Sequence, residues 1–196
     1  TAGTSETTLA ELETSWKIAH QKLNAAKRIL ILDGGAVGVE LAAEIVDHYD
    51  HDTHVTLVDA SPSLVPLFPK ATGEYAKMWL TQKGVDLRLR SMLKSWNDTS
   101  CTFQDGTVLT ADLVYVCFGG KGNTTMLQGS PKRVAVSDSL QMTDNQFCCG
   151  DVAFPPTEAN QQAFHAEMQG KLAARNVPRL AQGQTLLKYP YDMTET

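Results

Sequence analysis

Gly35 and Gly38, placed directly after the apolar run Ile29-Leu-Ile-Leu32, and the acid Asp59 further along, carry the first chemical signal in this chain. A glycine turn between a strand and a helix leaves the backbone N–H groups of the helix start facing outward, where they can hold a phosphate group. Gly35 permits close approach of the backbone to a diphosphate, and Gly38 lets helix and strand pack tightly. Asp59 ends a second apolar run, His54-Val-Thr-Leu-Val58, about 20 residues after the turn. An acid there accepts hydrogen bonds from the adenosine ribose hydroxyls and repels a 2′-phosphate, so the implied ligand is NAD(H) rather than NADP(H). Gly34, Gly35, Ala36, Val37, Gly38 and Asp59 are therefore the candidate cofactor-binding residues.

One position breaks the pattern. Aligning Gly35 and Gly38 with the second and third fingerprint glycines puts Asp33 where the first belongs. Two readings stay open. Its carboxylate lies near the diphosphate and weakens or alters the nucleotide site, or it bonds nearby N–H groups and points away.

These residues need a strand–turn–helix–strand frame, and the surrounding chain supplies one. Leu12, Trp16, Ala19 and Leu23 recur at helical spacing over Leu9 to Ala26, with Thr8 as a cap. The segment 36–48 reads as the amphipathic helix opened by the turn. After a proline-rich stretch, 60–69, the pattern predicts a helix over 72–83 stopped by Gly84, then a strand over 85–89. Parallel strands with helical crossovers follow. From Met92 the texture changes to short alternating runs. Asp105-Gly106 marks a hairpin between 100–103 and 107–110, and the strand 113–117 returns the chain to the parallel sheet. Further on, 147–152 is expected to be a strand with a Gly-Asp turn, Glu158 to Asn176 a long helix ended by Val177-Pro178, and the last twenty or so residues are weakly patterned.

Composition excludes several classes. With 196 residues, 42% hydrophobic and 20% charged, the chain suits one generous domain or a domain with an appendage. Its mean hydropathy is −0.21. A net charge of −5 gives no electrostatic footprint for nucleic acid. No run approaches the ~20 apolar residues of a transmembrane helix, and no signal peptide opens the chain. Cys101, Cys117, Cys148 and Cys149 make no CxxC pair; Cys117, Cys148 and Cys149 read as core thiols, which implies a reduced, intracellular setting, cytoplasmic or mitochondrial. Histidines 48, 51 and 54 fall in one polar loop, which reads as solvated rather than metal-binding. Trp16, Trp79 and Trp96 are scattered singly and are expected to fill the core rather than stack on a base or sugar.

Taken together, these residues resemble the two-dinucleotide flavoproteins of the pyridine nucleotide–disulfide oxidoreductase superfamily, in the branch of type II NADH dehydrogenases and apoptosis-inducing-factor-like NADH:quinone reductases. The resemblance runs from about Leu12 to Pro178. It covers the Gly-Gly-Ala-Val-Gly-Val-Glu turn, Lys83-Gly-Val85, the Asp105-Gly106 hairpin and Phe147-Cys-Cys-Gly-Asp151. It implies a Rossmann-like NAD(H)-binding α/β domain, a parallel sheet with helices and a small antiparallel meander, followed by a remnant of an FAD-binding domain. By resemblance Glu40 and Gly119 lie near the nicotinamide half, Asp151 holds the flavin ribityl chain, and the helix from Glu158 starts against the isoalloxazine. Departures accompany the matches: the family's Ala-Thr-Gly reads Cys117-Phe118-Gly119, and a proline expected soon after is Gly122.

The boundaries implied are a leading helix and linker over 1–26, the NAD(H) domain over 27–125 and the FAD-domain part over 126–196. Such enzymes open with an FAD-binding βα unit carrying its own glycine fingerprint, and this chain contains a single fingerprint. The expected role is the NADH-binding portion of an FAD-dependent NADH oxidoreductase, passing hydride from NADH to flavin and on to a quinone-like acceptor. A homodimer fits this reading. With no catalytic residues assigned, the chain by itself is expected to bind without turning over. The alternative is a non-catalytic dinucleotide-binding sensor or scaffold. A simple NAD-dependent dehydrogenase would need a Tyr/Lys or His/Asp set that the sequence lacks.

Overall fold

The computed structural model describes residues 8–49, 52–120, 122–127, 129, 132–156 and 163–189. The chain divides into two compact units, residues 1–119 and 120–196.

In the first unit, α1 (Leu9–Ala25) leads into β1 (Arg28–Leu32), α2 (Ala36–His48), β2 (His54–Val58), α3 (Lys70–Gln82) and β3 (Asp86–Arg88). Then come β4 (Leu93–Asn97), β5 (Ser100–Phe103), β6 (Val108–Thr110) and β7 (Leu113–Val116). The sheet order is β3-β2-β1-β7, all parallel, and β4-β5-β6 form a separate antiparallel sheet. β1 is apolar on both faces because both are covered. Ile29 and Ile31 pack with Ala42, Ile45 and Leu80 on the helix side. Leu30 and Leu32 alternate to the other side, where Cys101, Phe103 and Ala111 of the meander segment meet them. The sheet is thus a middle layer, and the turn after β1 sits at its carboxyl edge, where open α/β sheets bind ligands.

α1 has the expected cap: Thr8 Oγ1 accepts the Glu11 N–H at 3.3 Å and Glu11 Oε2 accepts the Thr8 N–H at 3.0 Å. It buries none of its residues, however, and Trp16 is 66% exposed. The expectation of three core tryptophans therefore holds only for Trp79, which packs against the helix-side core. Trp96 is 47% exposed and meets the Phe118 ring along one edge.

The second unit contains β8 (Val134–Ala135), β9 (Gln141–Thr143), β10 (Gln146–Phe147), β11 (Ala153–Phe154) and α4 (Ala163–Ala181). The expected strand over 147–152 is cut to its first residue, because Gly150 adopts φ +81° and the Ala153 N–H turns back to the Gly150 carbonyl. The chain then pairs β11 with β8 in parallel. α4 also departs from expectation by running through Pro178. A proline so near the end forfeits little of the helix ladder, and packing holds the turns before it. Leu172 and Asn176 are fully buried, with the Asn176 side chain donating to the Ser139 and Leu187 carbonyls and accepting the Leu187 N–H. Glu158 lies outside the described residues. All four cysteines are free; Cys101 is buried, but Cys149 is exposed, against the expectation of a core thiol, because it stands in the turn after β10. Among the described residues no helix is long and apolar enough to cross a membrane.

Candidate functional site

The glycine turn is a tight cradle, closed to a side chain by backbone at Gly38 and crowded by neighbouring side chains at Gly34 and Gly35. A Cβ at Gly38 would lie 1.9 Å from the Asp33 carbonyl oxygen, so helix α2 can approach the end of β1 only with glycine there. At Gly34 a Cβ would meet Leu64 Cδ2 at 2.8 Å and Asp59 Oδ2 at 2.9 Å; at Gly35 it would meet Asp33 Oδ2 at 2.6 Å. Gly35 is the N-cap of α2, and no side chain caps the helix. Ala36, Val37 and Gly38 form its first turn, with Val37 58% exposed. Their N–H groups precede the first intrahelical bond, Val39 N–H to the Gly35 carbonyl, and lie at the positive end of the helix dipole.

Asp59 is brought to this turn by the pairing of β1 with β2. The Asp33 N–H donates to the Val58 carbonyl at 2.9 Å. The Asp59 carboxylate accepts the N–H groups of Gly34 and Ser61. The loop that follows is locked on as well: the Val65 N–H donates to the Gly34 carbonyl at 2.8 Å, with Val65 strained at φ +42°. Besides these two backbone bonds, the Asp59 carboxyl is hydrogen-bonded to the Asp33 side chain.

The structure divides the two readings of Asp33: its carboxylate bonds a nearby N–H, that of Gly35, as in the second, but stays over the turn beside Asp59 instead of pointing away. Its backbone takes φ +116°, a geometry suited to the glycine it replaces. Burial pushes its carboxyl above the usual carboxylate range; the Gly35 N–H bonded to it acts the other way, and Asp59 beside it adds to the rise. Two acids thus face each other at the carboxyl edge of the sheet.

A cavity of about 310 Å³ opens from this point, lined by Asp33, Val58, Asp59, Ser91, Trp96 and Phe118 among others. Phe118 follows β7, whose end is held by the Cys117 N–H donating to the Leu32 carbonyl at 2.9 Å. In the sequence Phe118 stands out only as a departure from a motif, Trp96 reads as a core residue, and nothing local marks Ser91.

The remaining candidates are not part of the turn itself. Gly119 is exposed at φ +80°, with open space where a Cβ would be. Glu40 is exposed on the second turn of α2. In the second unit, Asp151 is exposed after Gly150, whose N–H donates at 2.8 Å to Oε1 of Gln169, a buried side chain on α4. Gln169 thereby fixes the Gly-Asp turn to the helix, a role unread in the sequence. Of the polar loop, residues 50 and 51 lie outside the described residues; His48 pairs with Glu44 at 3.3 Å and Asp47 with Lys83 at 2.8 Å. No group of three or more metal-ligating side chains converges among the described residues.

Comparison with known proteins agrees with this geometry. A family model for pyridine nucleotide-disulphide oxidoreductase matches residues 3–170. The chain is 32% identical over 190 residues to Fe-regulated protein 8 of Mycosarcoma maydis, an alignment covering 90% of this chain and 47% of that protein. It is 27% identical over 193 residues to the type II NADH:quinone oxidoreductase of Haemophilus influenzae, covering 84% and 42% respectively. Among solved structures, the ferredoxin reductase for the CYP199A2 system from Rhodopseudomonas palustris shares the fold with a TM-score of 0.72 at 18% identity, covering 93% of this chain and 47% of that one. The chain spans about half the length of the curated relatives it matches.

Proposed function

The chain belongs to the pyridine nucleotide-disulphide oxidoreductase family, and from that premise we propose that it is the NADH-binding portion of an FAD-dependent NADH oxidoreductase that delivers electrons to a quinone-like acceptor. The observation that carries this reading is the cradle itself, a glycine turn closed to side chains with Asp59 held 25 residues away in sequence against the Gly34 N–H.

NADH bound at such a turn supplies a hydride. The chain's own residues bind and orient it. The N–H groups of Ala36, Val37 and Gly38 face the diphosphate, Asp59 accepts from the ribose hydroxyls and disfavours a 2′-phosphate, and Glu40 and Gly119 lie toward the nicotinamide half. In the second unit Asp151, held by Gln169 through Gly150, is the flavin contact. The acceptor named for the Haemophilus relative, a quinone, is the class proposed here.

No second glycine fingerprint is present in these residues to receive the flavin diphosphate, so Asp151 offers too few contacts to offset the entropy lost by a large flexible ligand. The test is to pass the purified chain, mixed with FAD, through a desalting column and to assay NADH:ferricyanide activity. A colourless, inactive protein that still binds NADH is expected. Stoichiometric retained flavin would contradict the assignment of a partial flavin site.

A further inference from the structure

The cavity beside Asp59 has a wall built by an irregularity. β4 pairs with β5 in a register that shifts between Leu93 and Ser95: Leu93 lies opposite Phe103, yet Ser95 is opposite Thr102 and Trp96 opposite Cys101. On a regular strand residues 93 and 96 would point to opposite faces. The extra residue resets the alternation and puts both on one face, as β-bulges do where a side chain must be re-aimed. It is the face on which Cys101 and Phe103 pack against the sheet, and Leu93 and Trp96 both line the cavity. Trp96 overhangs that core, 47% exposed, with its ring edge-on to Phe118 at 5.1 Å and 81°. A bulge has turned a large aromatic inward, and open space remains beside it.

We propose that Trp96, braced edge-on by Phe118, is the surface on which the adenine ring of the dinucleotide stacks, an inference that rests on the NAD(H) reading of the turn. The size fits one nucleoside. About 310 Å³ is at the lower end of the roughly 300–1,000 Å³ of small-molecule sites, too little for a whole dinucleotide. The charge fits a hydrogen-bond donor. The ionisable groups lining the cavity are Asp33 and Asp59, which accept from hydroxyls and an exocyclic amine and turn phosphate away toward the α2 N-terminus. The end of the ligand is set by Asp59, since the acid that closes the second strand marks the adenosine side. A tryptophan face then adds affinity to any base, while the polar groups choose among them.

The test uses a chain carrying Trp16→Phe and Trp79→Phe, which leaves Trp96 as its sole tryptophan. It is titrated with NADH, AMP and nicotinamide mononucleotide, following emission and heat together. NADH and AMP quench Trp96 with the calorimetric dissociation constants, and nicotinamide mononucleotide does not. Trp96→Ala weakens NADH and AMP binding about tenfold, the scale of one stacked base, and Trp96→Phe restores most of it, with the circular dichroism spectrum unchanged in both. If NADH binds while Trp96 emission is unmoved and Trp96→Ala keeps full affinity, the stacking surface is wrong and the NAD(H) reading survives. Quenching by nicotinamide mononucleotide in place of AMP overturns the orientation. A chain that binds no NADH removes both.

Discussion

Replacing Asp33 by glycine separates two effects that meet at one residue. Asp33 holds φ +116°, and a non-glycine residue in such a region costs about 1–3 kcal/mol. Glycine removes that strain and loses about 0.5–1 kcal/mol to the greater freedom of the unfolded chain. A net gain of about 1 kcal/mol shifts the midpoint of thermal unfolding upward by about 2–4 °C for a chain of this size. Binding responds more strongly. A unit charge about 5–6 Å from a phosphate charge is repelled by about 3 kcal/mol at an effective dielectric of ~20, a ceiling near a hundredfold in affinity that salt screening lowers. The substitution also frees the Gly35 N–H, which the Asp33 carboxylate now occupies. Asp33→Gly should therefore bind NADH at least tenfold more tightly in a calorimetric titration at low salt, with the gain shrinking as salt is added. An unchanged affinity, or one insensitive to salt, would refute the placement of the carboxylate over the turn.

Other substitutions probe the neighbouring parts. Asp33→Asn should be more stable than the parent at neutral pH. Burial raises the folded-state pKa of Asp33, so the folded chain takes up its proton first as pH falls, and the advantage should disappear below that pKa in melting curves across pH. A constant advantage at every pH would contradict the burial of its charge. Gly38→Ala places a Cβ 1.9 Å from a backbone oxygen and should destabilise by about 1–3 kcal/mol or more in denaturant melts while abolishing NADH binding. Gln169→Leu leaves the Gly150 N–H without its acceptor and should lose about 1–3 kcal/mol. Cys149, exposed, should react with a thiol reagent at once, whereas Cys101, buried with its thiol pushed up by burial, should react only on unfolding.

The architecture was legible because it rests on local pattern. The apolar run 29–32, the glycines and the Asp105-Gly106 hairpin each declare their element through periodicity or turn chemistry. Asp59 was legible because its spacing from the turn follows from strand and helix length. What escaped depends on tertiary placement. A bulge is a property of two paired strands, so nothing in Leu93-Lys-Ser-Trp96 tells which way Trp96 faces. The spacing of Leu12, Trp16, Ala19 and Leu23 correctly gives a helix, but burial of that stripe needs a partner surface that only Leu23 finds. Pro178 reads as a stop, and α4 passes it because the buried Asn176 and Leu172 hold the helix from outside the local sequence.

The central claim is that the turn from Asp33 to Gly38, with Asp59, is an NAD(H) site. A calorimetric titration of the whole chain with NADH and NADPH in parallel tests it most directly. NADH should bind in the high micromolar range or weaker and NADPH more weakly still, with a preference that narrows in Asp59→Ala. NADPH binding more tightly than NADH would contradict it.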